Sequence, residues 1–256
     1  MSNNSPWESV WITGAGRGIG KSLALLCAQQ GMTVYASSRT ASELDSLVQS
    51  CKNFSGVMIP LPLDITDVEE ISKIMQRWDD SSGLPDLVIL NAGTHDPFAA
   101  DSFSAQRAKQ LLDINLQGTI NCLDPILKRM LIRDSGQIAV MASVAGYRGL
   151  PTAGIYGASK AALINLCEAL KLDLLHTNLK LQVINPGFVR TSLTDKNDFK
   201  MPALIESEEA AARIMQGLLS KRFEIAFPRR FVCALKLLRI LPYSWYFKLI
   251  GKNISN

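Results

Sequence analysis

Apolar runs rich in Val and Ile recur along the chain, at Ser9–Thr13, Met32–Ala36, Val57–Leu63, Leu87–Leu90, Gln137–Met141, Leu179–Ile184 and Phe223–Phe227. Between them lie stretches with helical spacing, among them Gly18–Gln30, Ala41–Cys51, Val68–Asp80 and Tyr156–Thr177. Strands separated by helical crossovers form a parallel sheet covered on both faces. The pattern therefore predicts an α/β fold, a doubly wound parallel sheet of about seven strands flanked by helices on both faces. Two helix starts carry the spacing of a capping box, Thr40 with Glu43 and Thr66 with Glu69. No internal repeat, low-complexity tract or long linker divides the chain, so residues 1–256 are expected to form a single domain.

Composition narrows the class. Hydrophobic residues make up 47% of the 256 residues, enough for a substantial core. A net charge of +4 is too mild to suggest a nucleic-acid partner. The five cysteines, Cys27, Cys51, Cys122, Cys167 and Cys233, are odd in number, scattered and without a C-x-x-C pair. They fit reduced thiols in a cytoplasmic protein. The two histidines, His95 and His176, have no neighbours at metal-ligand spacing, so no metal site is expected and both read as structural. The polar start, Met1 to Val10, does not resemble a secretory leader, and no apolar run reaches the roughly 18 residues a spanning helix needs.

The first strand ends in Thr13-Gly14-Ala15-Gly16-Arg17-Gly18-Ile19-Gly20, and a helix follows. Such a turn lets backbone approach a pyrophosphate while the helix N-terminus points at the charge, which makes the sheet Rossmann-like and implies a dinucleotide cofactor. The end of the second strand discriminates between cofactors. An acid there would hold a ribose 2′-hydroxyl; here Ser38 and Arg39 follow Ser37, and Arg39 suits a 2′-phosphate, with Arg17 as a second cation. NADP(H) is expected in preference to NAD(H).

Downstream, Tyr156 and Lys160 stand four residues apart at a helix start, so they share a face. An unperturbed tyrosine titrates near pH ~10. A neighbouring ammonium stabilises the phenolate and is expected to lower that value, which lets Tyr156 give a proton to a carbonyl oxygen while a hydride arrives at carbon.

With these residues in view, the sequence resembles the short-chain dehydrogenase/reductase family, in its single-domain branch of about 250 residues. The resemblance spans Val10 to Thr191 and rests on ordered motifs: the glycine loop, Asn91-Ala92-Gly93, Asn115, Ser143, Tyr156 with Lys160, and Pro186-Gly187 with Thr191. It implies that Ser143 holds the substrate oxygen, Tyr156 is the acid or base, and Lys160 also holds the nicotinamide ribose. Asn115 would interrupt its helix and place a relay water. Asp64, with Ile65 beside it, would meet the adenine; Asn91, Ala92 and Gly93 would line the adenosine side; Pro186, Gly187, Val189 and Thr191 would hold the carboxamide. A homodimer or homotetramer acting on a small carbonyl or alcohol compound is implied. Substrate contacts are expected from Val144–Thr152, Phe188–Leu193 and Thr194–Ile205, whose mixture of apolar and polar groups suits a lipophilic molecule.

The chain departs from the family pattern in two places. Leu90 stands where a second Asn is common. Pro125 falls in the long helix after Asn115, where proline is expected to kink or break it and alter a dimer face. The alternative to an enzyme is a cofactor-binding regulatory or structural protein on the same fold, although such proteins tend to have lost the Tyr or Lys. Finally, residues 221–256 are basic, aromatic and apolar. They predict a helix over Arg229–Leu241, a break at Pro242 and a second helix over Ser244–Ile250. Cleft cover or a subunit contact is favoured for this tail over peripheral membrane contact through residues 229–250, because the strand Phe223–Phe227 draws it onto the body.

Overall fold

Among the described residues, seven strands pair in parallel: β1 (Ser9–Thr13), β2 (Thr33–Ser38), β3 (Val57–Pro62), β4 (Leu87–Leu90), β5 (Gly136–Met141), β6 (Leu179–Pro186) and β7 (Glu224–Phe227). Their spatial order is β3-β2-β1-β4-β5-β6-β7. The computed structural model describes residues 5–197, 199 and 201–252. The polar residues 1–4, residues 198 and 200 of the expected substrate segment, and residues 253–256 lie outside the described residues. Every expected strand is present, β1 and β4 with the expected ends and the other five with ends shifted by at most two residues.

Alternation along the strands explains the two layers. On β1, Val10 and Ile12 join a core with α1 (Gly18–Gln29), α2 (Ala41–Ser50) and α7 (Ser207–Leu219). Trp11, between them, joins the opposite core with α3 (Val68–Arg77), α5 (Gly118–Arg133) and α6 (Gly154–Asp173). Because both faces are covered, a strand such as Leu87–Leu90 is buried at every position, and its sequence is apolar without a break. The remaining helices are α4 (Ala105–Leu112), α8 (Arg229–Ile240) and α9 (Tyr243–Lys252). No helix of the described residues is long and apolar enough to cross a membrane.

Local chemistry corrects three expectations. Neither capping box forms. Thr40 makes no side-chain cap, and Glu43 instead accepts from the Ser38 hydroxyl at 3.0 Å. Asp67 caps α3 through the amides of Glu69 and Glu70, while Thr66 donates its hydroxyl to Asp64 at 2.8 Å. In both places a nearer polar partner outcompetes the box. Pro125 does not break its helix: α5 runs from Gly118 to Arg133 with Pro125 inside it. Cys122, Leu123, Ile126 and Met130 are all buried, and this packing holds the helix across the missing amide. The irregularity falls upstream instead, in a π turn over Asp113–Gln117.

Trp78 closes the lower core. It is 1% exposed and stands edge-on to Trp11 and Tyr35 at 5.1 and 5.6 Å between ring centres. Trp78→Ala is expected to lower unfolding free energy by about 3–5 kcal/mol, read from the urea midpoint at unchanged slope. A loss under about 1 kcal/mol would show that this corner repacks freely.

Candidate active site

The chain leaves β1 toward one face, through α1, and leaves β4 toward the other, through α4 and α5, so a crevice opens between their C-terminal ends. The glycine loop lines it. Gly14 and Gly18 sit at φ of +68 and +54°, where a side chain is strained. A Cβ on Gly14 would stand 2.8 Å from the Ala92 Cα, and one on Gly20 only 2.1 Å from the Gly14 carbonyl oxygen. Asn91 locks this contact: its amide donates to the Thr13 and Gly14 carbonyls at 3.0 and 3.1 Å. The Thr13 hydroxyl in turn accepts from the Asn91 and Ala92 amides. No side chain caps α1 at Arg17, and its first turn carries no acid, so its N-terminus faces the crevice as an anion site would require.

The ends of β2 and β3 form the next wall. Ser38, Arg39, Asp64 and Ile65 line it, as do Arg17 and Ile19 from the loop. Arg39 stands 3.9 Å from the Asp64 carboxylate and remains largely exposed. Asp64 also accepts from the Thr66 amide at 2.9 Å. Glu43 joins this wall, which the misassigned capping box concealed. Its carboxylate lies so close to Gly16 that a Cβ there would meet it at 2.1 Å.

Across the crevice stand Ser143, Tyr156 and Lys160, on the end of β5 and the first turns of α6. Pro186, Gly187, Val189 and Thr191 complete that side, and Thr191 closes on Gly18. The Ser143 hydroxyl accepts from the Ala145 amide at 3.1 Å, which fixes the turn after β5. Lys160 is 3% exposed and donates to the Met141 carbonyl at 2.8 Å, with its Nζ 5.8 Å from the Tyr156 ring centre. Burial pushes the Tyr156 phenol up, and the Ser143 hydroxyl offsets part of that rise. Burial therefore outweighs the expected lowering by Lys160. Burial pulls Lys160 itself down to about 8.

Asn115 alone of the expected site residues stays off the crevice wall, directly behind it. It sits in the π turn, fully buried, a helix irregularity of the kind common at functional sites. Its amide oxygen accepts from the Thr94 amide at 2.7 Å, and its nitrogen donates to the Thr94 carbonyl at 2.9 Å. A Cβ on Gly93 would stand 3.3 Å from the Asn115 oxygen and 3.6 Å from the Lys160 Nζ, so these groups converge where the glycine leaves room.

Beside Tyr156 opens a second, mostly apolar pocket. Val144, Leu150, Pro151, Thr152, Phe188, Leu193, Asn197 and Phe199 line it, within the expected substrate segments. Three further lining residues, His95, Ala153 and Phe231, lie outside those segments; Phe231 belongs to the tail expected to cover the cleft. His95 stands edge-on to Tyr156 at 4.6 Å and meets the Asn197 amide oxygen at 3.1 Å; burial holds its imidazole below the ordinary value. Phe231 enters from α8. His176, by contrast, is exposed in the turn beyond the C-terminal end of α6.

The Lys160 environment makes a linkage prediction. Its value falls from an ordinary 10.5 to about 8, so between these pH values the unfolded chain holds a proton that the folded chain has released. Folding stability gains from this group as pH rises through that window, and below it the buried charge costs about 3 kcal/mol. Lys160→Met is expected to be more stable than the natural chain near pH 7, by an amount that shrinks toward pH 10. Denaturant titrations of both chains across pH check this, and a pH-independent difference overturns it.

The short chain dehydrogenase pattern matches residues 8–201. An uncharacterized oxidoreductase of Myxococcus xanthus is 31% identical over 236 residues, which cover 92% of this chain and 93% of that one. A short-chain dehydrogenase of Sphingobium yanoikuyae, solved in complex with NADPH, superposes with a TM-score of 0.79 at 23% identity, over 92% of this chain and 97% of its own. Another, of Burkholderia phymatum in complex with NAD, gives 0.80 at 22% identity, over 90% and 92%. At those identities the structures speak for the fold. The family pattern and the curated relative go further: the chain belongs to the short-chain dehydrogenase family and is an oxidoreductase of that type.

Proposed function

We propose that the protein is a single-domain, NADP(H)-dependent reductase or dehydrogenase, moving a hydride between the nicotinamide and a carbonyl or secondary alcohol of an apolar small molecule. The observation that carries this reading is the placement of Ser143, Tyr156 and Lys160 between a glycine-lined crevice and an apolar pocket. The crevice suits a dinucleotide. Its glycines leave room for close backbone approach, and the α1 N-terminus and Arg17 supply positive potential. Bound there, the cofactor supplies the hydride.

The chain's own residues handle orientation and the proton. The Ser143 hydroxyl orients the substrate oxygen toward Tyr156, whose phenol gives up its proton as that oxygen gains charge. Lys160, charged below about pH 8, lies on the same helix face and favours the phenolate left behind. Asn115 holds the Thr94 backbone and converges with Lys160 on Gly93, a route by which water can return the proton. Val144, Leu150, Phe188 and Phe231 exclude water from the reacting carbon.

Tyr156→Phe removes that proton with little change of shape. Turnover on any good carbonyl substrate is expected to fall by about 10²–10⁴-fold, with cofactor affinity retained in a fluorescence titration. Near-normal turnover overturns the assignment.

Arg39 supports NADP(H): largely exposed just past β2, its guanidinium would make a charge-assisted contact with a 2′-phosphate. One observation favours NAD(H) instead: the Glu43 carboxylate, beside Ser38 and Gly16, would accept from a ribose 2′-hydroxyl and repel a phosphate. Under the NADP(H) reading, Arg39→Ala weakens NADPH binding about tenfold or more and leaves NADH nearly unchanged, whereas Glu43→Gln strengthens NADPH. Tighter binding of NADH by the natural chain, lost in Glu43→Gln, establishes the second reading.

A further inference from the structure

The tail packs onto the body by one side only. On α8, Val232 and Leu235 enter the core and Phe231 lines the apolar pocket, while Cys233, Leu237 and Ile240 form an exposed row at i, i+4 and i+7. Leu237 and Ile240 are 65% and 77% exposed. Among the described side chains of α9 only Tyr246 is buried; Tyr243, Trp245, Phe247 and Leu249 are 73%, 68%, 64% and 48% exposed. Single exposed apolar residues are ordinary, but six large ones within thirteen positions of two adjoining helices are not.

The charge around them narrows what covers them. Residues 229–250 include Arg229, Arg230, Lys236, Arg239 and Lys248 and no acidic residue. Glu224, on β7, is already paired with Lys236. A second copy of this chain, meeting the tail across a two-fold axis, would bring the same cations against themselves with no carboxylate in the tail to answer them. A surface of anionic lipid answers both features: it takes aliphatic and aromatic side chains at headgroup depth and neutralises the basic residues between them.

We infer that α8 and α9 form a lipid-docking surface, by which the protein binds peripherally to anionic membranes. The helices are too short to span, and they are held to the body, so they lie against the interface. The same α8 that faces lipid with Leu237 and Ile240 lines the apolar pocket with Phe231, so the docked face adjoins the substrate pocket.

The chain carries its own probe for this. Of its four tryptophans, Trp7, Trp11 and Trp78 are 7%, 0% and 1% exposed, against 68% for Trp245. Vesicles of phosphatidylcholine with phosphatidylglycerol, added to the full chain at low salt, should shift the emission to the blue and pellet the protein. Brominated phosphatidylcholine in the same vesicles should quench the shifted emission. Trp245→Phe should abolish the spectral change while pelleting persists. Leu237→Ser with Phe247→Ser, both at exposed positions, should weaken pelleting at least tenfold, as should a rise in salt to roughly 0.5 M.

Protein that stays in the supernatant at low salt overturns the inference. So does pelleting without a change at Trp245, which would place the contact elsewhere, and so does equal binding to phosphatidylcholine alone. A concentration-dependent dimer that Leu237→Ser with Phe247→Ser dissolves, in a chain that ignores vesicles, assigns the face to a second copy instead.

Discussion

The candidate site depends on one contact, the meeting of the β1 and β4 ends. Parallel strands whose crossovers run to opposite faces separate at their C-terminal edge, and something must hold the two rims at a fixed spacing. Here Asn91 does so, with its side chain on the Thr13 and Gly14 carbonyls while the Thr13 hydroxyl takes the Asn91 and Ala92 amides. Gly14 and Gly20 are glycines for the same reason: a methyl group on either would push the loop off this clamp. Loop position fixes the aim of α1, and with it the electrostatic character of the crevice. On the far rim, β5 pairs with β4 over residues 137–140, and Met141 and Ser143 follow directly from that pairing.

Much of this was legible from the residues. A strand buried on both faces has an apolar run, and a strand-to-helix turn with glycines at fixed offsets has few other uses. The seven strands and the crowding of Gly14 through Gly20, Asn91, Tyr156 and Lys160 around one crevice follow from that order. Two kinds of information were hidden. Local polar competition was one: Glu43 and Thr66 match a capping pattern, but whether a carboxylate turns to its own helix or to Ser38 depends on where the glycine loop lies. Long-range approach was the other. His95 reaches Tyr156 only because Asn115 ties down the Thr94 backbone from a different helix. Phe231 reaches the pocket because β7 delivers α8 there, in line with the expectation that the tail covers the cleft. No spacing rule encodes the His95 contact.

The buried lysine shows how the site holds opposing demands. Fully sequestered, Lys160 would lose its proton; the Met141 carbonyl and the space at Gly93 keep the charge tolerable at neutral pH. The π turn at Asn115 belongs to the same arrangement. It re-aims one side chain into the backbone of the β4 loop, at the expense of regular hydrogen bonding in the α4–α5 stretch. Proline at position 125 is tolerated a few residues later because that helix is held by its buried face rather than by its own ladder.

The tail is bound to the same segment that carries Ser143, and this makes it more than an appendage. Tyr147 donates to Glu224, which Asn185 and Lys236 also meet; burial pushes that carboxyl up, but the three donors outweigh it and hold it below the ordinary range. Arg148, the next residue, donates to the carbonyls of Leu238, Arg239 and Leu241, the open C-terminal end of α8. Its guanidinium also lies over the rings of Tyr243 and Tyr246, at 5.0 and 4.0 Å, and so fixes the start of α9. Two consecutive side chains just past the Ser143 turn therefore hold both tail helices. Tyr147 and Arg148 stand four and five residues past Ser143, so both tail helices are anchored on the segment that carries the hydroxyl facing Tyr156. The anchors of the tail and the Ser143 turn thus belong to one continuous stretch of chain.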